Sequence, residues 1–260
     1  MKKAVFLFLL TAAVCFAAPP ADAEARKAAR EKAVDAHLQA AAAASKPAQA
    51  AGALFKAVRE LQELKRFDEA VFHLEKIPRL KGIPRHEAAC AFRIAAQCRL
   101  EQLRTTEAIA FYERACACRS GKWSECSSCR ELGDIFMRLG DSRAALKVFS
   151  QAADNPKLGG ERFSCLCGKA AALARLKDLD QAKKTLEEAA KLLPPEKRQS
   201  AAGLLFYITE GEVMECASDI PRAVEAYRKA VAIPRANWKA VGKARRRLAV
   251  LAPAEKGKKK

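Results

Sequence analysis

The sequence has few of the residues and motifs that enzymes use for catalysis. It holds three histidines, His37, His73 and His86, and none of them has metal-ligand spacing with another. It has no G-x-S-x-G nucleophile motif, no glycine-rich phosphate-binding loop and no H-E-x-x-H zinc motif. Most acidic residues lie near basic ones at helical spacing, which is typical of solvated helix surfaces. We therefore expect a protein that is not an enzyme and that has no catalytic residue, cofactor or metal site.

The sequence also lacks the signs of β-structure and, after its first segment, of long apolar runs. No stretch shows sustained alternation of apolar and polar residues between turn residues, which excludes a sheet protein. One apolar run covers residues 4–18, and its 15 residues are too few to cross a bilayer comfortably. The composition therefore favours an all-α protein without a membrane-spanning helix.

Residues 1–23 have the pattern of a secretory signal peptide. A basic start precedes the apolar run 4–18, and the small residues of Ala-Asp-Ala then provide a cleavage site before Glu24. Lipid attachment at Cys15 is disfavoured, because Val14 stands where a lipid-anchor motif needs a small residue. We expect export to the periplasm or cell envelope, or secretion.

Residues 131–156 predict two short amphipathic helices around a tight turn at Gly140. Apolar residues recur at steps of three and four in both helices: Leu132, Ile135, Phe136 and Leu139, then Ala145, Val148, Phe149 and Ala152. Small residues, such as Gly133 and Ala145, stand where the two helices must approach closely. The aromatic rings of Phe136 and Phe149 are predicted to fill the space between them.

This pattern recurs along the chain. Alanines equivalent to Ala145 occur at Ala70, Ala108, Ala182 and Ala223, with spacings of 37 to 41 residues. A large apolar residue follows four positions after each alanine: Leu74, Tyr112, Phe149, Leu186 and Tyr227. The order of small, aromatic and turn residues resembles the tetratricopeptide repeat, with a few extra residues in each connection. The resemblance covers residues 51–234.

The resemblance implies a right-handed α-solenoid of about five helical hairpins, stacked so that each unit buries its apolar face against its neighbours. We expect the units at about 51–84, 85–121, 123–158, 161–195 and 198–234. They are preceded by an alanine-rich helix over 24–47 and followed by a capping helix over 235–251 and a basic disordered tail over 252–260. Prolines and glycines fall between these units, where a helix must end.

The function that the resemblance implies is a non-enzymatic scaffold or adaptor for protein–protein interaction. In such a stack the first helix of each hairpin lines a concave groove. By the repeat register, the arginines predicted to line it are Arg59, Arg93, Arg130, Arg138 and Arg175. Guanidinium groups bind carboxylates through paired hydrogen bonds, so the groove is predicted to bind another protein or an acidic peptide segment.

Nine cysteines follow the predicted cleavage site, and seven of them belong to the ends of helices that the register places on one edge. We call this set the cysteine rim: Cys90, Cys116, Cys118, Cys126, Cys129, Cys165 and Cys167. Export favours structural disulfides between neighbouring units, although the spacing does not determine which cysteines pair. The alternative function is a thiol-based redox or metal-binding protein that uses this rim, because Cys126-Ser-Ser-Cys129 opens a helix and thiolates bind zinc.

The net charge of +18 is unevenly distributed, since residues 235–260 contribute ten basic residues and one acidic residue. Two interpretations of this charge stay open: a basic tail that serves solubility, or an electrostatic contact of the C-terminal tail with an anionic envelope surface. In the second case deletion of 252–260 would remove salt-sensitive binding. A nucleic-acid partner is not expected, because the sequence contains no recognised nucleic-acid-binding module and its start predicts export.

Overall fold

The structure, a computed structural model, describes residues 21–234 and 238–252. These residues form twelve α-helices and no strand: α1 Ala21–Ala42, α2 Pro47–Glu63, α3 Phe67–Leu74, α4 Arg85–Glu101, α5 Thr105–Ala117, α6 Trp123–Arg138, α7 Ser142–Ala153, α8 Phe163–Arg175, α9 Leu179–Lys191, α10 Ala201–Cys216, α11 Ile220–Val231 and α12 Trp238–Leu251. Short 3-10 helices occupy Ile77–Arg79, Pro156–Arg162 and Pro195–Lys197. Within the described ranges, none of the helices combines the length and the apolar character needed to cross a bilayer.

Helices α2 to α11 pair as five consecutive hairpins, and each hairpin packs on the next. The first helices contact one another in the order α2, α4, α6, α8 and α10, which makes them one layer of the stack. The second helix of each hairpin packs against the first helix of the following one. The prediction of an all-α solenoid is confirmed. The predicted signal peptide up to residue 20, with Cys15, and the tail from residue 253 lie outside the described residues.

Every hairpin turns through one residue in the left-handed backbone region at the same repeat position. These residues are Lys65, Leu103, Gly140, Lys177 and Ser218, with φ between 59° and 82°. In the third, fourth and fifth hairpins the next residue is an aspartate whose side chain accepts a hydrogen bond from a backbone N–H of the second helix. Such capping satisfies an N–H group that lacks a partner within the helix.

The aromatic ring of Phe149 determines how closely α6, α7 and α8 approach. Phe149 on α7 is fully buried, and its ring lies directly against Gly133 of α6 and Gly168 of α8. A Cβ atom at either glycine would lie 2.4 Å from a carbon of the ring, which is closer than real Cβ contacts. Gly211 and Tyr227 repeat this arrangement in the fifth hairpin. The thickness of the Phe149 ring thus sets the distance between the first helices α6 and α8.

The helices at the two ends cover the terminal hairpins. Helix α1 packs on α2, where Val34 is buried and Arg30 forms an ion pair of 2.6 Å with Glu60. Helix α12 packs on α11 and α10 through the buried Val241 and Ala244. The side chain of Trp238, which was also expected to cover the last hairpin, lies outside the described residues.

We expect Gly133→Ala to lower the free energy of unfolding by about 1–3 kcal/mol, because the new methyl group overpacks the Phe149 ring. Gly52→Ala is the matched control, since Gly52 is exposed in the interior of α2 and has no atom near its missing Cβ. The control should gain up to about 1 kcal/mol from helix propensity alone. Urea unfolding of both variants measures the difference. Equal stability of Gly133→Ala and the wild type would contradict the packing described for Phe149.

Candidate functional site: a basic groove on the first helices

The first helices α6, α8 and α10 form the wall of a cavity of about 680 Å³, which we call the basic groove. Side chains one helical turn apart on each helix point into it, because residues at i and i+4 share a helix face. Helix α12 closes one side with Lys243. The lining residues are Arg130, Asp134, Met137, Arg138, Gly140, Phe149, Ser164, Cys167, Gly168, Ala171, Arg175, Leu205, Ile208, Thr209, Glu212 and Lys243.

Three of the five predicted groove arginines line this cavity. Arg130 and Arg138 lie two turns apart on α6, and Arg175 lies on α8 at the repeat position of Arg138. Arg138 and Arg175 are exposed. Arg138 forms no ion pair or side-chain hydrogen bond with the described residues, and Arg175 donates to the carbonyl oxygen of Met137 at 2.9 Å. Both guanidinium groups therefore keep donors for a ligand.

The other two predicted arginines lie outside the cavity. Arg59 is exposed on α2, in the first hairpin. Arg93 is half-buried, with its guanidinium 3.4 Å from the Glu131 carboxylate and 5.2 Å from the centre of the Trp123 ring. Arg93 belongs to α4 of the second hairpin, and both of these contacts are with α6 of the third hairpin. The guanidinium group of Arg93 is therefore occupied at the junction of the two hairpins.

Glu131, which the repeat pattern did not single out, joins these two hairpins. Its carboxylate accepts hydrogen bonds from the Tyr112 hydroxyl at 2.7 Å and from the Gln97 amide at 3.2 Å. Burial, together with the Glu131 carboxylate, raises the pKa of the Tyr112 hydroxyl. The carboxylate also lies 3.5 Å from Arg130. Glu131 thus connects the packing of the hairpins to one edge of the groove.

The groove contains two acidic residues that the arginine pattern missed, Asp134 and Glu212. They occupy the repeat position of Arg59, so a search by register rather than by charge would have found them. Asp134 lies 3.1 Å from Arg130, and Glu212 pairs with Lys243. Burial raises the pKa of the Asp134 carboxyl above its usual value of 3.8, against the opposing effect of Arg130 and Arg138. Four basic and two acidic side chains leave the groove with a positive balance.

The structure divides the cysteine rim into pairs and single thiols. The sulfur atoms of Cys116 and Cys129 lie 2.8 Å apart, and those of Cys126 and Cys165 lie 3.4 Å apart. All cysteines of the described residues are free thiols. The remaining three rim members lie elsewhere: Cys90 on α4, Cys118 at the end of α5 and Cys167 beside the groove. In the part of the chain that the structure describes, no three His, Cys, Asp or Glu side chains are arranged to hold a metal ion.

We expect the Asp134 carboxyl to titrate above 3.8 and the exposed Asp68 carboxyl to titrate below it, because a hydrogen bond from Arg99 lowers the pKa of Asp68. Carboxyl NMR titration measures both. Arg130→Met should raise the pKa of Asp134 further, since it removes a neighbouring positive charge.

The raised pKa of Asp134 determines how this carboxyl changes the free energy of unfolding as the pH changes. The folded chain binds this proton more tightly than the unfolded chain, so the carboxyl favours folding increasingly as the pH falls through its raised pKa towards 3.8. The Asp68 carboxyl has the opposite effect. It stabilises the folded chain above pH 3.8, and this stabilisation is lost as the pH falls below 3.8. A pKa of Asp134 at or below that of Asp68 would contradict the burial described here.

Comparison with known proteins supports the repeat architecture. A family model described as tetratricopeptide repeat matches residues 163–194, which contain α8 and α9. No curated protein matches the chain.

Two solved structures share the fold. A putative kinesin light chain from Podosopora anserina, with nearly identical TPR-like repeats, is 20% identical with a TM-score of 0.51, over 69% of this chain and 92% of that one. PilW, described as a widely conserved type IV pilus biogenesis factor, is 13% identical with a TM-score of 0.52, over 78% of this chain and 93% of that one. The match over α8 and α9 and the hairpin stack thus show that the chain has the fold of tetratricopeptide-repeat proteins.

Proposed function

We propose that the protein is a non-enzymatic scaffold of the periplasm or cell envelope that binds an acidic segment of a partner protein in the basic groove. The observation that carries this proposal is the convergence of Arg130, Arg138 and Arg175 on one cavity of the first helices. Arginines at equivalent positions of successive hairpins present guanidinium groups at a regular spacing, which suits an extended peptide with repeated carboxylates.

The groove also has an apolar floor. Ile208 is buried, Leu205 is 36% exposed, and both line the cavity with Met137. Ligand sites typically combine a mostly apolar lining with a few well-placed polar groups, and volumes of about 300–1,000 Å³ are usual. A partner segment that alternates acidic and large apolar residues would satisfy both features. Asp134 and Glu212 would repel a segment whose acidic residues face them. The groove would therefore select partner segments by the spacing of their acidic residues.

The location rests on the first 23 residues of the sequence, whose pattern predicts export. Helix α1 begins at Ala21, so cleavage before Glu24 would remove three residues of its first turn. We expect the mature protein, purified from the periplasm of a bacterial host, to begin at Glu24, and N-terminal sequencing measures this. Recovery of the chain only in the cytoplasm with Met1 intact would contradict the proposed location.

We expect a short fluorescent peptide of alternating glutamate and leucine to bind the reduced protein, with affinity that falls as salt is added. Arg138→Glu with Arg175→Glu should weaken binding more than tenfold, because hydrogen bonds to charged groups contribute about 1.5–3 kcal/mol each. Fluorescence polarisation measures the dissociation constant.

The matched control is Arg143→Glu with Lys183→Glu, which makes the same charge change on the exposed faces of α7 and α9, away from the groove. This control should retain most of the affinity, and a peptide with glutamine for glutamate should bind weakly to every form. Equal losses in the two double variants would mean that net charge alone attracts the peptide, and that the groove is not the site. Arg93 is not suitable for this test, because reversing its charge would disrupt the contacts with Glu131.

A further inference from the structure

Two pairs of thiols meet across the junctions on either side of helix α6. Cys116 at the end of α5 meets Cys129 of α6, and Cys126 of α6 meets Cys165 of α8. The sulfur atoms lie 2.8 Å and 3.4 Å apart, and a disulfide bond needs a separation of about 2.05 Å. Small side-chain movements would therefore bring each pair to bonding distance.

The two cysteines of α6 face different neighbours although only two residues separate them. Cys126 lies in the second turn of α6, where its sulfur also approaches the carbonyl oxygen of Glu161 at 2.8 Å. Cys129 lies one turn further along and faces the end of α5. A bond between Cys126 and Cys129 would require each sulfur to leave the partner it already contacts.

We propose that Cys116 pairs with Cys129 and that Cys126 pairs with Cys165, which would make two disulfide bonds that join the second, third and fourth hairpins through α6. The other cysteines that the structure describes have no such contact with a second sulfur. Cys98 accepts a hydrogen bond from Gln62 at 3.4 Å, and the Cys118 thiol lies 3.3 Å from the carbonyl oxygen of Arg114.

The oxidation balances with a small organic disulfide, such as oxidised glutathione, as the oxidant. A protein thiolate attacks one sulfur of the oxidant, forming a mixed disulfide and releasing one glutathione thiol. The partner thiol then attacks the protein sulfur of the mixed disulfide, releases the second glutathione and completes the bond. Each bond thus removes two hydrogen atoms from the protein and reduces one molecule of oxidant to two thiols.

In the pair of Cys126 and Cys165, the pKa shifts of the two thiols indicate which one attacks the oxidant. A hydrogen bond from the Cys165 thiol lowers the pKa of Cys126, whereas hydrogen bonding to Cys126 and burial raise the pKa of Cys165. We therefore assign Cys126 as the cysteine that attacks the oxidant and Cys165 as the one that resolves the mixed disulfide. Burial raises the pKa of Cys167 to about 12, so this neighbour on α8 is a poor competitor.

The bond between Cys126 and Cys165 would hold α6, with the groove arginines Arg130 and Arg138, against α8, and the bond between Cys116 and Cys129 would hold α6 against α5. Both bonds therefore bear on the position of α6. They would close loops between residues that are 13 and 39 positions apart, and closing the longer loop restricts the unfolded chain more. The inference does not depend on the proposed ligand, because the pairing can be measured without one.

The test is to refold the full chain in a glutathione redox buffer, block the remaining thiols with iodoacetamide and digest without reduction. Trypsin cleaves after lysine and arginine, so the four cysteines fall in the peptides 115–119, 123–130 and 163–169, which hold two cysteines each. The proposed pairing predicts one species in which all three peptides are linked, and mass spectrometry identifies it.

Single substitutions determine which cysteines are bonded, because the alkylated cysteine of the peptide 123–130 should be Cys129 in Cys116→Ser and Cys126 in Cys165→Ser. Cys118→Ser and Cys167→Ser should leave the three-peptide species intact. Cys116→Ser should release the peptide 115–119, and Cys165→Ser should release the peptide 163–169. These four variants are matched controls for one another, since each loses one thiol of the same region.

Three results would overturn the pairing: an internal bond within the peptide 123–130, a link to the Cys90 peptide 86–93, or full alkylation of all the cysteines after oxidation. If one variant fails to fold, the other variant of the same peptide still assigns the bonded cysteine, since Cys116→Ser and Cys118→Ser report on 115–119 and Cys165→Ser and Cys167→Ser report on 163–169. A second readout is the urea midpoint, which oxidation should raise in the wild type and leave unchanged in the double variant Cys116→Ser with Cys165→Ser. An unchanged midpoint in the wild type would contradict bonds that match the folded geometry.

Discussion

The contact of the Phe149 ring with Gly133 and Gly168 is the interaction on which the central part of the stack depends. A helix side chain larger than hydrogen at either position would push α6 or α8 away from α7. The repeat therefore combines small residues on first helices with one large residue on the second helix. Because α6 and α8 also carry the groove arginines, the same contact sets the distance between the charges that line the basic groove.

Helix α6 is the element in which packing, charge and thiol chemistry meet. One face carries Arg130, Asp134 and Arg138 into the groove, while Glu131 binds the Tyr112 hydroxyl of the preceding hairpin. Its first turns hold the thiols that contact α5 and α8. A change in the position of α6 would therefore alter the groove and both junctions together, which is why reduced and oxidised forms should be compared separately.

The periodic residues allowed the fold to be predicted, but they left much of the site undetermined. The recurrence of alanines such as Ala145, each followed by a large apolar residue, predicts stacked hairpins because only that arrangement buries both. Register also predicts which helix face meets the groove, and it placed Arg138 and Arg175 there. It does not specify the charged neighbour across a junction, so the capture of Arg93 by Glu131 was not predictable. The thiol pairing likewise depends on how successive hairpins stack, since Cys126 and Cys165 are 39 residues apart.

The most direct test of the central claim is hydrogen–deuterium exchange of the reduced protein with and without a saturating acidic-apolar peptide. If the first helices form the binding surface, amide exchange should slow in α6, α8 and α10, while α3, α5 and α9 should change little. The stability of the bound state accounts for such protection, because a ligand that binds only the folded chain suppresses opening of the segments that it contacts. Protection confined to the second helices, or no protection at saturation, would contradict the assignment of the basic groove as the site.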